Sequence, residues 1–382
     1  MNMKTTTAEK TAFFTMFSVA SVLFGWHAGG GFATGNQANQ FYVISGLMGI
    51  VSAALAMLLL SLTVRQAMVM YNSRGLQNYK QLFETLFHPY DKLELLFEIF
   101  YYIMVLMATS SSIAGAGELL KSAIGLNYYV AVAFVGVILL ALTIFGADLV
   151  RKASSAMSVL ILLCALTIFL FGIKAKADVI GDMFRGGWNL SATPKAIGKA
   201  FQYAGFQCAC IPTMIGCCGV LSSKKECARS MWISFAMNTL ALCLSVLMLL
   251  GWKDVYLSVQ GGAAIPTLTI CKEMGITPLV WAYDICLFLC FISTGVGAVF
   301  GVINRFGELP ALTKRIPNQS TRRLCLALLV IAAAVFVSLA GLTNIIKYGY
   351  SYCGYLGIAV VVIPFLTVGV IKNRRFQSGN QD

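Results

Sequence analysis

The sequence predicts an all-α integral membrane protein: ten transmembrane helices in two halves of five, with helices 1 and 6 broken. Three observations predict it. The chain of 382 residues is 58% hydrophobic and 11% charged, with a mean hydropathy of +0.80, whereas soluble domains carry about 25% charged residues. It divides into ten apolar runs, each near the roughly 20 residues that a bilayer core requires. The first and sixth runs are interrupted by glycine or proline where a spanning helix should be most regular.

In chain order the runs are 12–40, 42–64, 94–121, 127–146, 152–173, 197–220, 228–251, 278–304, 323–342 and 344–371, below called spans 1 to 10. Residues 1–173 make the first five-helix repeat, 197–371 the second, and 174–196 an external loop, all within one domain. Lys4 and Lys10 before the first run are reminiscent of a signal peptide, but no small-x-small cleavage pattern ends that run, so it is read as an uncleaved span. With the N-terminus inside and the spans alternating, the outer side receives Lys121, Lys174, Lys176, Arg185, Lys195, Lys199, Lys253, Lys272 and Lys347. The other 19 of the 28 basic residues, Lys4, Lys10, Arg151 and Lys152 among them, fall inside. This excess follows the positive-inside rule and places both termini in the cytoplasm. It also accounts for the net charge of +13 without nucleic acid, for which no recognition motif is present.

Span 1 contains "GWHAGGGFATGNQANQF", Gly25 to Phe41. Gly29, Gly30 and Gly31 each weaken a helix by about 1 kcal/mol relative to alanine, and His27 has no place facing lipid. Gly31 and Gly35 form a GxxxG that could serve close packing, yet three glycines beside a histidine exceed that need. The expectation is a break, whose unwound backbone must be buried or line a wet cavity. Span 6 contains "FQYAGFQCACIPTMIGCCG", Phe201 to Gly219. Pro212 removes a backbone donor there, and Gly205 and Gln207 add a weak point and a buried amide. Phe24, Trp26, Ala28 and Gly29 loosely echo Phe201, Tyr203, Ala204 and Gly205. Interruptions at matching places in two halves point to an inverted repeat with a binding site at the midplane.

The remaining features are weighed against plainer readings. The segments 174–195 and 255–277 are lids over the outer mouth or ordinary surface loops. Twelve cysteines, only Cys164 before residue 200, show no paired CxxC spacing and read as small polarizable core residues. Within spans, His27 is a candidate for proton coupling or solute contact, or a structural histidine bonding an unwound carbonyl. Glu118 and Asp284 sit toward the outer ends of spans 3 and 8 as candidate gating residues. Glu98, near the inner end of span 3, is expected to be solvated. The run "KYGYSYCGY" suits a gate or an interfacial aromatic belt. His88, beside Pro89, reads as incidental. No HExxH, GxSxG, paired carboxylates or phosphate-binding GxxxxGK[ST] loop occurs, so neither an enzyme nor an ATP-driven pump is expected, and no cofactor.

"GGGFATG" at Gly29–Gly35, "YAGFQCACIP" at Tyr203–Pro212, "STGVGAVFG" at Ser293–Gly301 and "GLTNIIKYGYSYCGYLG" at Gly341–Gly357 resemble the YkvI-like family of bacterial membrane proteins. That family is in turn similar to the amino acid–polyamine–organocation (APC) superfamily, with its LeuT-type 5+5 inverted repeat. The resemblance covers nearly the whole chain. It implies the fold and a secondary transporter of the bacterial cytoplasmic membrane with Na+ or H+ as coupling ion; that family has no settled substrate, and the solute expected from the breaks is a small zwitterion or amine, most simply an amino acid. The alternative on the same scaffold is a non-transporting nutrient sensor. One departure stands out: the family pattern follows the glycine segment with a glutamate, where this chain has Gln37.

The site expected from these readings is built around the breaks. Half-helix ends present free amides and a positive dipole end, so Gly29, Gly30, Gly31 and Phe32, beside His27, are expected to hold a carboxylate. Phe206 and Gln207, on an exposed stretch of span 6 beside Ala204 and Gly205, would meet the solute's side group, with Met107, Ser110 and Ser111 as walls. The resemblance also implies a sodium site: the Gly25 and Ala28 carbonyls opposite the Cys290 carbonyl and the Ser293 and Thr294 hydroxyls. The plainer alternative is that Ser293 and Thr294 bond back to their own helix.

Overall fold

The computed structural model describes residues 2–145, 147–221, 223–307 and 310–378, with side chains described outside 2–11, 147–158, 304, 310–311 and 377. The side chains of Lys4, Lys10, Arg151 and Lys152, used in the charge count, and residues 379–382 of the tail lie outside the described residues. Among the described residues every regular element is a helix. Eight helices are long and apolar enough to cross a membrane: Met48–Ser73, Asp91–Ile124, Tyr128–Phe145, Leu190–Val220, Lys224–Gly251, Thr277–Ile303, Gln319–Ser338 and Leu342–Phe376. They are spans 2, 3, 4, 6, 7, 8, 9 and 10. Span 5 is the bent pair Val159–Ala175 and Ala177–Arg185, with an angle of 69° between its parts. Span 1 enters as the shorter apolar helix Ala12–His27 and goes on after a break as Gly30–Ala33 and Asn36–Phe41.

Several bounds differ from the apolar runs for a local reason. Span 2 starts at Met48 because a 3-10 turn, Val43–Ser45, and Gly46 at φ 59° turn the chain first. The first part of the expected external loop 174–196 is thus the helix Ala177–Arg185, the second part of the bent pair, and the segment between spans 7 and 8 forms Lys253–Ser258 and Pro266–Glu273. Below, the end of the bundle with both chain termini is called proximal and the other distal.

Span 3 packs on spans 4, 8 and 9; span 2 on spans 6 and 7; span 1 on span 7; span 5 on spans 7 and 8; and span 10 on spans 2, 3 and 6. Exchanging each span for the one five places later maps several of these pairs onto one another, the close 6–10 pair, whose counterpart 1–5 touches only slightly, being the exception. The 1–7 pair becomes 6–2, 3–4 becomes 8–9, and 5–8 becomes 10–3. Two sequences of similar hydrophobic pattern that bury equivalent faces produce such a contact set.

Spans 6 and 10 cross with their backbones in contact. A Cβ on Gly205 would collide with the Gly354 carbonyl, one on Gly354 with the Gln202 carbonyl, and one on Gly357 with the Gly205 carbonyl. Small residues permit this approach where apolar burial between helices supplies little driving force. Gly205 therefore serves helix packing and is not on an exposed stretch. Span 6 is helical through Thr193–Gln207, turns as 3-10 over Cys208–Cys210 and resumes at Ile211–Cys217, with Pro212 in its first turn where no donor is needed. Ala204, Phe206 and Gln207 lie in the helix before this interruption, all buried.

Polar clasps close the proximal end. Arg305 of span 8 meets the Glu98 carboxylate at 2.6 Å, and the Tyr79 hydroxyl donates to the same carboxylate at 3.0 Å from the loop helix Tyr79–Phe87. Glu98 is thus buried and ion-paired; the expectation that it is solvated fails because Tyr79 and Arg305 cover it. Lys372 donates to the Thr85 and His88 carbonyls at 3.0 Å each, and Arg74 to Asn373 at 3.0 Å. The His88 ring itself is exposed beside Asp91.

Replacing Gly354 with valine is expected to lower stability by about 1–3 kcal/mol through overpacking, read as a drop in thermal unfolding temperature in detergent. Gly297→Ala, where nothing lies within 4 Å of the added methyl, should leave stability unchanged or raise it slightly.

Candidate functional site

Helix propensity fails in span 1 at Gly29, and the backbone shows it. Gly29 is extended, with φ −62° and ψ −178°. Among the described residues, the carbonyls of Gly25, Trp26, His27 and Ala28 accept no backbone hydrogen bond, and the amides of Gly29, Gly30 and Gly31 donate none. The Phe32 amide is not free: it donates to the Gly29 carbonyl at 3.0 Å, so the expected cradle reduces to the amides of the three glycines. Two side chains cover it. The Phe291 ring of span 8 lies against Gly30, 2.7 Å from where a Cβ would stand, and the Gln37 amide lies against Gly31 so closely that a side chain there would have to push it aside.

His27 ends the first half of span 1 and is buried. Its Nε2 lies 2.8 Å from the Tyr203 hydroxyl of span 6, which donates to Gln37 Oε1 at 3.0 Å. Gln37, the departure from the family pattern, is thus joined to His27 through Tyr203. The His27 ring also packs on Phe32 at 5.0 Å. Tyr203 is surrounded by Phe41, Tyr42 and Phe206 with ring centroids 4.8–5.4 Å away. Phe206 in turn faces Tyr350 of span 10 at 4.9 Å, and Tyr350 bonds Ser111 of span 3 at 2.8 Å. Spans 1, 3, 6 and 10 therefore meet at one level through His27, Phe32, Phe206 and Ser111. Ser110 returns its hydroxyl to the Leu106 carbonyl at 2.7 Å, and Met107 packs on Gly349. Tyr350 itself lies in a π-helical turn, Ile345–Tyr350, a geometry common at functional sites.

The distal side of the break is capped by the helix Pro266–Glu273, the lid helix. Its Thr267 amide donates to the Thr34 carbonyl at 3.1 Å. Asn36 donates through Nδ2 to the carbonyls of Ala263 and Ala264, at 3.1 and 2.9 Å, and to the Thr343 hydroxyl at 2.9 Å. The Tyr283 hydroxyl of span 8 bonds the Ala33 carbonyl, and Tyr256 donates to Asn39 at 2.7 Å. Gly35 is required where the lid touches: its φ is 77°, and a Cβ there would meet Thr267 Oγ1 at 2.5 Å. Of the two loops left open between lid and plain loop, 255–277 folds onto the mouth.

At the implied sodium site, the Ser293 and Thr294 hydroxyls both donate to the Cys290 carbonyl, at 3.1 and 2.8 Å. That carbonyl's lone pairs are committed. The hydroxyl oxygens keep theirs, and Thr294 Oγ1 would stand 3.9 Å from a Cβ on Gly29; the Gly25 and Ala28 carbonyls accept no backbone hydrogen bond. Four of the five expected oxygens thus remain able to hold a hard cation. Of the candidate gating residues, Glu118 lies 3.7 Å from Lys121 in a distal cavity of about 290 Å³ that the lid segment also lines. Asp284 is buried, with Oδ1 unpartnered, and interacts with Cys271 and Lys272 of the lid helix. Lys272 both lines the cavity that holds Glu118 and acts on Asp284.

Sequence reading missed Tyr203, Gln37, Tyr350, Asn36 and Phe291 as site residues. Tyr203 and Tyr350 stood inside quoted motifs, but an aromatic residue in a membrane span carries no sign of which neighbour its hydroxyl will find.

No protein-family model matches the sequence, and no curated protein does. Solved structures do. An Eremococcus coleocola manganese transporter, mutant H236A, superposes with a TM-score of 0.56 at 16% identity, over 98% of this chain and 89% of that one. Mhp1 in an inward-facing conformation gives 0.62 at 13% identity over 94% and 77%. Mhp1, a nucleobase-cation-symport-1 family transporter, closed with bromovinylhydantoin bound, gives 0.51 at 14% over 94% and 79%. At these identities the likeness shows the fold, a LeuT-type all-α membrane protein.

Gly35→Ala is expected to loosen the lid from the break. Cys271, buried in the lid helix with its thiol pushed up to about 12 by burial and the nearby Asp284, reports the change. Its labelling by N-ethylmaleimide at pH 8 should rise roughly fivefold or more, the factor for 1 kcal/mol of opening. Equal labelling in both proteins would show that the lid and the break move independently.

Proposed function

We propose that this chain is a secondary transporter moving a small zwitterionic or amine solute, an amino acid in the simplest case, by alternating access around the break of span 1. The observation that carries the reading is the unpaired backbone at Gly25–Gly31. In lipid each such group costs several kcal/mol unless it is shielded or serves a ligand. A protein that needed span 1 only as a wall would have a continuous helix there. The resemblance of its motifs to the YkvI-like family and the APC superfamily supports a secondary transporter. So does the LeuT-type fold it shares with Mhp1 and with the manganese transporter. Among the described residues no three His, Cys, Asp or Glu side chains are grouped to hold a metal ion, which favours an organic solute over the cargo named for the second neighbour.

On this reading the Gly29–Gly31 amides receive the carboxylate, and the aromatic cluster of Tyr203, Phe206 and Tyr350 closes over the remainder. The chain divides at 174–196 into two five-span repeats, in a bacterial cytoplasmic membrane with both termini inside. A coupling sodium ion would rest between the Gly25 and Ala28 carbonyls and the Ser293 and Thr294 hydroxyls, neutralising the solute's negative end.

The test is thermal unfolding of the purified protein with amino acids and amines, in sodium or in potassium, followed by uptake into proteoliposomes. A true solute at a hundredfold excess over Kd adds about 2.7 kcal/mol. Gly31→Val should abolish that shift in a protein that still folds. Gly29→Ala, whose methyl meets nothing nearer than the Trp26 carbonyl at 3.5 Å, should retain it. A folded protein that no amine or amino acid stabilises would sink the solute class.

Sodium dependence is tested separately. Ser293→Ala combined with Thr294→Ala is expected to remove any advantage of sodium over potassium in the same measurement. An advantage that survives places the ion elsewhere.

A further inference from the structure

At the proximal end Arg305, Lys372 and Arg74 all have partners. Arg65 of span 2 is an exception. Its Nε is buried with nothing bonded to it, and among the described residues its guanidinium has no hydrogen-bond or ion-pair partner. It also faces the wrong medium. Val51, Leu55, Leu58, Leu62 and Arg65 form the exposed to partly exposed stripe of span 2, between buried neighbours. Apart from Arg65, it is a stripe that a bilayer would cover.

The arginine does not reach for water. Helical side chains lean toward the N-terminus of their helix, and span 2 enters from the distal end and finishes proximally at Ser73. Arg65 thus stands about 12 Å along the axis from the proximal end, with its stem directed further into the bilayer. A shallow crevice between spans 2 and 7 receives it. The span 2 residues that share this crevice, Leu58, Ser61 and Leu62, all precede it, and the opposite wall is Ala228, Met231 and Trp232 of span 7. A guanidinium held there without an anion is costly, which makes an arginine inside a span a functional feature by default.

The surroundings specify where the anion comes from. Lys224 and Lys225, in the first turn of span 7, precede Ala228 by four and three residues and so share its face, roughly 5 Å nearer the proximal surface. Glu226, the acid of that turn, is two residues from Ala228 and falls on another face. Trp232 is half-exposed beside the crevice, as aromatic residues at a membrane interface are. A free ion would have to leave water and pass between acyl chains to arrive here. A phospholipid brings its phosphate with its chains already in the bilayer.

We infer that the crevice binds the phosphodiester of an anionic phospholipid in the proximal leaflet. The guanidinium fork matches the two charged oxygens of a phosphate, Ser61 adds a hydroxyl one turn away, and the acyl chains lie along Leu58, Leu62 and Trp232. The basic rim sets the headgroup: a choline would bring a second cation to Lys225, whereas a glycerol brings none. The crevice joins spans 2 and 7, and span 7 packs on span 1, so the lipid braces the wall behind the break. The inference does not depend on which solute the protein carries.

Titration of the full-length purified protein with dioleoylphosphatidylglycerol or dioleoylphosphatidylcholine in mixed micelles tests this, with bound lipid counted by native mass spectrometry and stability followed by thermal unfolding. Wild type should prefer phosphatidylglycerol by about tenfold or more, the worth of one charge-assisted hydrogen bond. Arg65→Leu should fold, since leucine suits a lipid-facing position, and should bring the preference to about twofold or less. Arg65→Lys keeps the charge but not the fork and should fall between the two. Arg374→Gln, which removes an exposed charge from the last helix, should change nothing. Absence of a preference in the wild type overturns the assignment. So does an equal loss in Arg65→Leu and Arg374→Gln, the mark of a diffuse attraction between basic residues and anionic lipid. A full preference in Arg65→Leu with a drop in oligomeric mass would show that a second copy of the chain covers the crevice, and overturns it too. Should Arg65→Leu fail to fold, Arg65→Lys decides: a preference equal to that of the wild type rejects the assignment.

Discussion

The structure depends on one constraint: a peptide group inside a bilayer must find a partner within the protein. Span 1 violates it over Gly25–Gly31, and much of the remaining architecture shields the violation. Span 7 lies alongside the first half of span 1, with Ser230 donating to the Met16 carbonyl at 2.8 Å. Phe291 and Gln37 cover the glycines, Tyr203 ties His27 to the second half of the molecule, and the lid helix seals the distal face. Each of these contacts would be dispensable in a bundle of ten unbroken helices.

The two interruptions are unequal, although their sequences look alike. Span 1 loses its helix outright because three consecutive glycines offer no resistance and Gly29 adopts an extended conformation. Span 6 has one proline, and it falls in the first turn of Ile211–Cys217, where its missing donor and fixed φ are tolerated. A 3-10 turn absorbs the remainder. Gly205, which resembles the glycines of span 1, serves a different purpose: it lets span 10 approach until backbone meets backbone. The same residue type thus loosens one helix and binds another more tightly, depending on whether its neighbours are glycines or a facing helix.

This contrast marks how far the sequence could be read. Fold class, the ten runs and the break at Gly29 were legible because they depend on composition and on local backbone preference, which act within a few residues. Phe206 and Gln207 are expected on exposed backbone and lie instead in buried helix, because only the position of span 10 decides that. Glu98 looked solvated until Arg305, more than two hundred residues away, was seen to pair with it. The Ser293 and Thr294 hydroxyls bond their own helix, as their spacing allowed, and the Gly25 and Ala28 carbonyls are left open by the break that follows them. The polar network of His27, Tyr203 and Gln37 is assembled from two spans and has no period to detect.

The fastening of the lid to residues 33–36 has a consequence for leakage. The Thr34 carbonyl and the Asn36 amide have their partners in the lid segment, so the distal mouth cannot part while these groups remain bonded. Only water can replace those partners, and water enters by the same opening. Parting of the mouth and wetting of the broken helix are therefore a single event. Its barrier includes at least three hydrogen bonds, each worth about 0.5–1.5 kcal/mol, which is enough to hold an idle molecule shut against ions drifting through it.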